Sequence, residues 1–237
     1  MSAILSLRQS LRHARAERIL DVAAQLLQRW GYKRVTIEDI AIQARIGKGT
    51  IYLHWPTREA LFNAVLQREL LAAVEGYLNT LRDRPEELLL HRLVQYFWLT
   101  ASQRPIIRAI FTQDLDTLGR LVQAGDKALL AQQYQAFEQY VELLKGARLL
   151  RANLTAMEVM YVYRAVTTGF FLAETLIPDQ HQPEFKRKAD LLAATFQRAF
   201  DIPEPAPRAA VAGIAPRVIA LLQKIMEAKR ATVHPKT

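Results

Sequence analysis

Hydrophobic spacing limits what this chain can fold into more than any other feature of its sequence. Apolar residues recur at i, i+3, i+4 and i+7 along most of its length, the period that gathers them on one stripe of an α-helix. Ile19, Val22, Ala23, Leu26, Leu27 and Trp30 form one stripe, and Gly31 just beyond it suits a helix C-cap. Leu90, Leu93, Val94, Phe97, Trp98 and Ala101 form another before Pro105 stops it. Leu130, Tyr134, Phe137, Val141 and Leu144 repeat the pattern and end near Gly146. Thr155 is placed to N-cap a helix over 156–176 that Pro178 closes. Alternating β-branched runs joined by Asn-Gly or Asp-Gly turns do not occur, so no sheet is expected. The predicted fold is all-α, with nine or ten helices.

Charge narrows the partners. The chain of 237 residues carries a net charge of +9. Residues 1–48 hold nine Lys or Arg against four acids, a local net of +5, so over half the excess lies in the first fifth. Such a concentration suits a nucleic-acid footprint. With no cysteine, disulfides, thiolate metal sites and cysteine nucleophiles are excluded. The five histidines, among them His13, His91, His181 and His234, are scattered and lack any metal-binding or acid-paired spacing. Asp114 and Asp116 alone make a poor metal site. No phosphate loop or nucleophile elbow is present, so neither an enzyme nor a cofactor is expected. The N-terminal apolar run is too short for a signal peptide. The longest apolar stretch, 157–177, contains Glu158, Arg164 and Glu174, which argues against a membrane span. A soluble, cytoplasmic protein with no membrane partner is the expectation.

Residues 36–58 read as a unit. Thr36 and Asp39 have capping-box spacing, and Ile37, Ile40, Ala41 and Ala44 give one apolar face over two turns. A turn at 45–47 follows, and a short helix over 48–55 turns Ile51 and Trp55 inward. Two short helices joined tightly and packed on a longer one describe a helix-turn-helix. Gly47 and Gly49 disfavour a helix at roughly 1 kcal/mol each. They make sense as clearance for a helix entering a major groove about 12 Å wide. Arg8, Arg12, Arg15 and Arg18 either reach DNA or form a solvated helix face, and the sequence leaves both open.

The run Thr36-Ile-Glu-Asp-Ile-Ala through Lys48-Gly-Thr-Ile-Tyr-Leu-His-Trp-Pro-Thr-Arg-Glu-Ala-Leu resembles the N-terminal domain of TetR-family transcriptional regulators, over about residues 15–66. The resemblance implies base-facing roles for Lys48, Gly49 and Thr50. It implies phosphate contacts for Thr36, Tyr52, His54 and Arg58. Arg45 stands where the family commonly has Gly, and Gly47 where Ser or Thr would cap. If the Arg45 backbone is left-handed, the strain is roughly 1 kcal/mol, and Arg45 is then expected to touch DNA.

The predicted division is an N-terminal arm with a three-helix helix-turn-helix DNA-binding domain at 1–60 and a helical ligand-binding and dimerisation domain at 61–200. A Pro-rich linker with an accessory C-terminal helix follows at 201–237, opened by Pro216. Phe97, Phe111, Phe137, Tyr161, Arg164 and Thr168 are candidates to line an apolar ligand pocket, although such aromatics equally fill a bundle core. Arg164, on a helix apolar nearly all round, needs a partner: Glu174, Glu142, an acidic ligand or another subunit. The resemblance implies that helices at about 155–177 and 184–200 form a four-helix dimer bundle, with Phe171, Phe185, Ala189, Leu192 and Phe196 at the interface. The expected function is a homodimeric repressor, released from a palindromic operator in double-stranded DNA by an unidentified small apolar or amphipathic effector, with the helix from Arg58 as the lever. The alternatives are a constitutive DNA-binding or assembly protein without a pocket, and an apolar-ligand carrier with a vestigial DNA domain.

Overall fold

A computed structural model describes residues 2–122, 127–202 and 206–233. Pro203 and Pro205 of the expected linker, His234, and the side chains of Arg8 and Leu130 lie outside the described residues. The described residues form helices and turns, with one isolated bridge between Leu150 and Asp201. The long first helix, α1 (Ser2–Trp30), ends at Gly31, whose φ of 72° is left-handed. A Cβ at Gly31 would come within 2.5 Å of the Asp116 carbonyl oxygen, so glycine serves both the cap and the close approach of the 115–118 turn.

Against α1 pack α2 (Ile37–Ala44), α3 (Lys48–Tyr52) and α4 (Arg58–Asp83), and Ile106, Ala109, Leu118 and Leu121 close the N-terminal core from further along the chain. Ile19, Leu20, Ala23 and Leu27 of α1 pack with Ile37, Ile40, Ile51, Trp55, Leu61 and Phe62. Arg68 of α4 bonds Glu17 at 3.2 Å and Asp21 at 2.8 Å, tying α4 to α1. Trp30 departs from expectation: it closes the apolar stripe of α1 but is 40% exposed, because the helix outruns the core at its last turn.

After α4 come α5 (Leu90–Gln103), α6 (Pro105–Thr112), α7 (Leu115–Leu118), α8 (Lys127–Gly146), α9 (Ala156–Leu176), α10 (Phe185–Phe200) and α11 (Arg208–Val233); the second core joins the later turns of α4 (Ala73, Tyr77, Leu81) to α5, α6, α8, α9, α10 and α11. Thr155 caps α9 with a reciprocal box to Glu158. Pro105 both follows α5 and opens α6, where its fixed φ and missing N–H suit the first helical position. Asp114 N-caps α7, accepting the Asp116 and Thr117 amides, so the Asp114–Asp116 pair is a capping device.

Two expectations about the tail need correction. α11 starts at Arg208, so Pro216 lies inside the helix instead of opening it. An interior proline costs about 3 kcal/mol; burial of Val211, Ile214, Ala215 and Val218 in the second core offsets it. Nor is the tail accessory, because α11 packs along α4 and α8. By length and composition Arg208–Arg230 is apolar enough to cross a membrane, yet here it lies against the helical body.

Candidate nucleic-acid interface and ligand cavity

The α2–α3 unit is built locally. Thr36 accepts the Asp39 amide at 3.2 Å, and the Asp39 carboxylate accepts the Thr36 amide at 2.9 Å. The Thr36 hydroxyl and amide hold the Asp39 carboxyl below its ordinary pKa. At the other end of α2, Arg45 adopts φ 55° and ψ 50°, a left-handed cap on a non-glycine residue. Its amide reaches Ile42 O at 3.1 Å while the Ile46 amide reaches Ala41 O at 3.0 Å. Those bonds close α2 and leave the Arg45 side chain exposed. The third helix stops at Tyr52, shorter than the spacing to Trp55 suggested; Trp55 sits beyond it and is buried by its ring.

Gly47 and Gly49 are informative for what surrounds them. Neither has a positive φ, and a Cβ added at either would meet nothing within 4 Å. The fold therefore requires glycine at neither position. Around them Lys48, Gly49 and Tyr52 are exposed, with Thr50 and His54 half-buried. Lys48 forms an ion pair with Glu38, both side chains half exposed, so it is weakly held and exchangeable.

Arg58 is turned inward, against the expectation of a phosphate contact. Its Nε donates to Val35 O at 3.0 Å, its Nη2 donates to Tyr32 O, and the guanidinium lies 3.8 Å from the centre of the Tyr32 ring. The loop between α1 and α2 offers two carbonyls that need donors, and an arginine at the start of α4 supplies them.

An apolar cavity of about 230 Å³ lies among α4, α5, α6, α8, α9 and α11. Phe97, Phe111, Phe137 and Arg164 are on its wall. Tyr161 and Thr168 are not: Tyr161 is 75% exposed on the opposite side of α9, and the Thr168 hydroxyl donates to Phe111 O at 3.4 Å. Arg164 pairs with neither of the expected acids. Glu174 is taken by Arg108 and Lys188, and Glu142 by Lys145.

Four of the five residues expected at a dimer interface lie in the chain's own core. Phe171, Ala189, Leu192 and Phe196 are almost wholly buried, because α10 packs its apolar face on α5. Phe185 is half exposed, with its ring 5.4 Å from that of Trp98. The apolar surface left open is instead on α9, where Met157, Tyr161, Leu172 and Leu176 are exposed in helical register. Gly169 falls within that stripe with nothing near its missing Cβ.

Sequence reasoning also missed Lys229. It is 97% buried on the cavity wall, in register with Val218, Leu222 and Ile225 of α11. That register was readable as a stripe, though a lysine at its end was not recognisable as buried. Four residues further on, Val233 enters the N-terminal core, where its carbonyl accepts the Trp55 indole N–H at 3.4 Å.

A short two-helix unit with an open, basic outer face, seated on a longer helix, defines a helix-turn-helix DNA-binding protein. Residues 19–65 match the family of bacterial regulatory proteins named for TetR. The transcriptional regulator AcrR of Shigella flexneri is 26% identical over 166 residues, covering 65% of this chain and 74% of that one. Two solved structures share the fold. SCO4942 of Streptomyces coelicolor has a TM-score of 0.58 at 19% identity, covering 81% of this chain and 98% of its own. TylP, a TetR regulator of Streptomyces fradiae, has a TM-score of 0.55 at 18% identity over 93% of each chain. The chain carries the TetR-type DNA-binding domain over residues 19–65 and is similar to transcriptional regulators of that family.

Proposed function

We propose that this regulator is a homodimeric repressor, released from a palindromic operator when a small apolar or amphipathic molecule fills the cavity. The observation that carries the reading is that two helices serve both ends. One is α4, which begins beside the recognition helix at Arg58 and lines the cavity with Leu70, Ala73, Val74 and Tyr77. The other is α11, which lines the cavity and places Val233 against Trp55. A ligand that prefers one arrangement of these helices shifts the recognition helix with it. A tenfold to hundredfold loss of operator affinity needs only about 1.4–2.8 kcal/mol of coupling. The cavity favours this reading over a constitutive DNA-binding or assembly protein.

On DNA, Lys48, Gly49 and Thr50 meet base edges, while Thr36, Tyr52 and His54 contact phosphates and Arg45 adds a contact from the turn. Gly49 supports this because the protein itself leaves the space beside it open. Lys48 exchanges Glu38 for the nucleic acid. The second copy docks on the exposed stripe of α9, where Gly169 permits close helix approach. Two recognition helices then face half-sites separated by a whole number of helical turns.

The test is selection of bound sequences from a random duplex pool, followed by titration of the recovered site. A two-fold symmetric motif bound by two chains is expected, with binding lost in Lys48→Ala/Tyr52→Ala. Recovery of an asymmetric motif, or of none, would sink the dimeric-operator reading.

A further inference from the structure

Among the described residues the cavity wall holds two cations and no carboxylate. Lys229 is 97% buried, and its Nζ donates to Gln67 Oε1 at 2.9 Å. That amide oxygen is its sole hydrogen-bond acceptor among the described residues, leaving two ammonium protons without a described acceptor. Arg164, across the cavity on α9, has no acid partner among the described residues either. The other wall residues are apolar side chains, tyrosines and Gln133. A buried ammonium without a counter-charge is costly, and a sequence seeking only to fill this space would place Met or Leu there. Burial alone lowers the Lys229 pKa from 10.5 to about 8, so the amine still carries its proton at neutral pH.

We propose that the effector is an anionic amphiphile, an organic acid whose carboxylate binds the Lys229 ammonium while its apolar body lies among Phe97, Phe111, Phe137 and Tyr163. The assignment rests on the cavity being an effector site, as argued above, and adds the chemistry of the effector. A volume of about 230 Å³ suits a small molecule. A carboxylate at the buried Lys229 receives a charge-assisted hydrogen bond, and such bonds are strongest away from bulk water. It also touches the helix best placed to report it. Lys229 bridges α11 to Gln67 of α4, one turn before Val233 meets Trp55. A carboxylate that draws the ammonium toward the cavity competes with Gln67, and so acts on both helices that lead to the DNA-binding unit.

The experiment is calorimetric titration of the full chain with octanoate, octan-1-ol and octylammonium, on wild type, Lys229→Met and Lys229→Gln. Octanoate should bind wild type at least tenfold more tightly than octan-1-ol does, with octylammonium weakest. Both variants should lose that preference while keeping the affinity for octan-1-ol, which also shows that they are folded. Equal octanoate affinity in wild type and variants overturns the role of Lys229. If octan-1-ol binds and octanoate binds no better, the cavity is an effector site but the anionic assignment is wrong. If none of the three binds wild type, the effector-site reading itself fails.

Discussion

Replacing Lys229 with methionine should make the protein more stable at neutral pH, and the gain should vanish in alkali. The perturbation removes a charge that is 97% buried and keeps most of the volume of its aliphatic stem. In the folded chain the ammonium has a pKa of about 8, against 10.5 unperturbed. Between these values the unfolded chain holds the proton and the folded chain does not, so stability rises with pH across that window. Below pH 8 the full penalty stands, about 3 kcal/mol at ~1.4 kcal/mol per pH unit. Methionine abolishes the penalty but leaves the Gln67 amide without its partner, a loss of about 1 kcal/mol. The expected net gain is about 2 kcal/mol at pH 7, falling through zero near pH 10.

Urea denaturation of wild type and Lys229→Met in matched buffers at pH 7 and pH 10 reads this directly. Other ionisations cancel in the difference between the two proteins. The buried cavity tyrosines stay neutral throughout the window, because burial pushes the Tyr163 hydroxyl to about 12 and those of Tyr77 and Tyr140 well above 10. Destabilisation by methionine at pH 7, or a difference that does not change with pH, would refute the reasoning. The first result would mean that the ammonium has a favourable partner; the second, that it is not desolvated.

Four further outcomes are expected. Gly49→Ala should stabilise the fold slightly, by up to about 1 kcal/mol, yet weaken operator binding in a fluorescence-anisotropy titration; unchanged affinity would remove the clearance argument. Tyr52→Phe should lower affinity equally on operator and random duplex, whereas Thr50→Ala should reduce their ratio; equal behaviour of the two variants would dissolve the division between positioning and reading. Tyr161→Arg/Leu176→Arg on α9 should give a monomer by light scattering, and a persistent dimer would place the interface elsewhere. Arg58→Ala should lower the melting temperature through loss of the Val35 and Tyr32 carbonyl contacts, at a cost of about 1–3 kcal/mol. A drop in DNA affinity with full stability would restore Arg58 to the phosphate-contacting set.

Local chemistry made much of this protein readable without coordinates. The Thr36–Asp39 box and the Thr155 N-cap set two helix starts to the residue, because a cap joins groups only two or three positions apart. Gly31 marks a helix end because a residue without a Cβ takes the left-handed cap readily, here at φ 72°. The helix-turn-helix was legible because its contacts span few residues and its polar groups must stay outside. At Arg45 the backbone is left-handed and the side chain exposed, and no contact among the described residues calls for arginine.

Tertiary structure decided what periodicity could not. A 3.6-residue stripe says that a helix has an apolar face but not what covers it. The face of α10 meets α5 of the same chain, which leaves α9 to present the open surface. Tyr161 and Tyr163 lie two positions apart on one apolar helix, about 200° around its axis; one faces outward and the other lines the cavity. Pro216 read as a helix start because locally it favours one, and burial of α11 overrode it. Lys229 and Val233 owe their surroundings to α4 and Trp55, more than 150 residues earlier in the chain. Sequence by itself determined the elements and the DNA-facing unit, whose causes are local; the cavity, its buried cation and the open face of α9 arise only where distant helices meet.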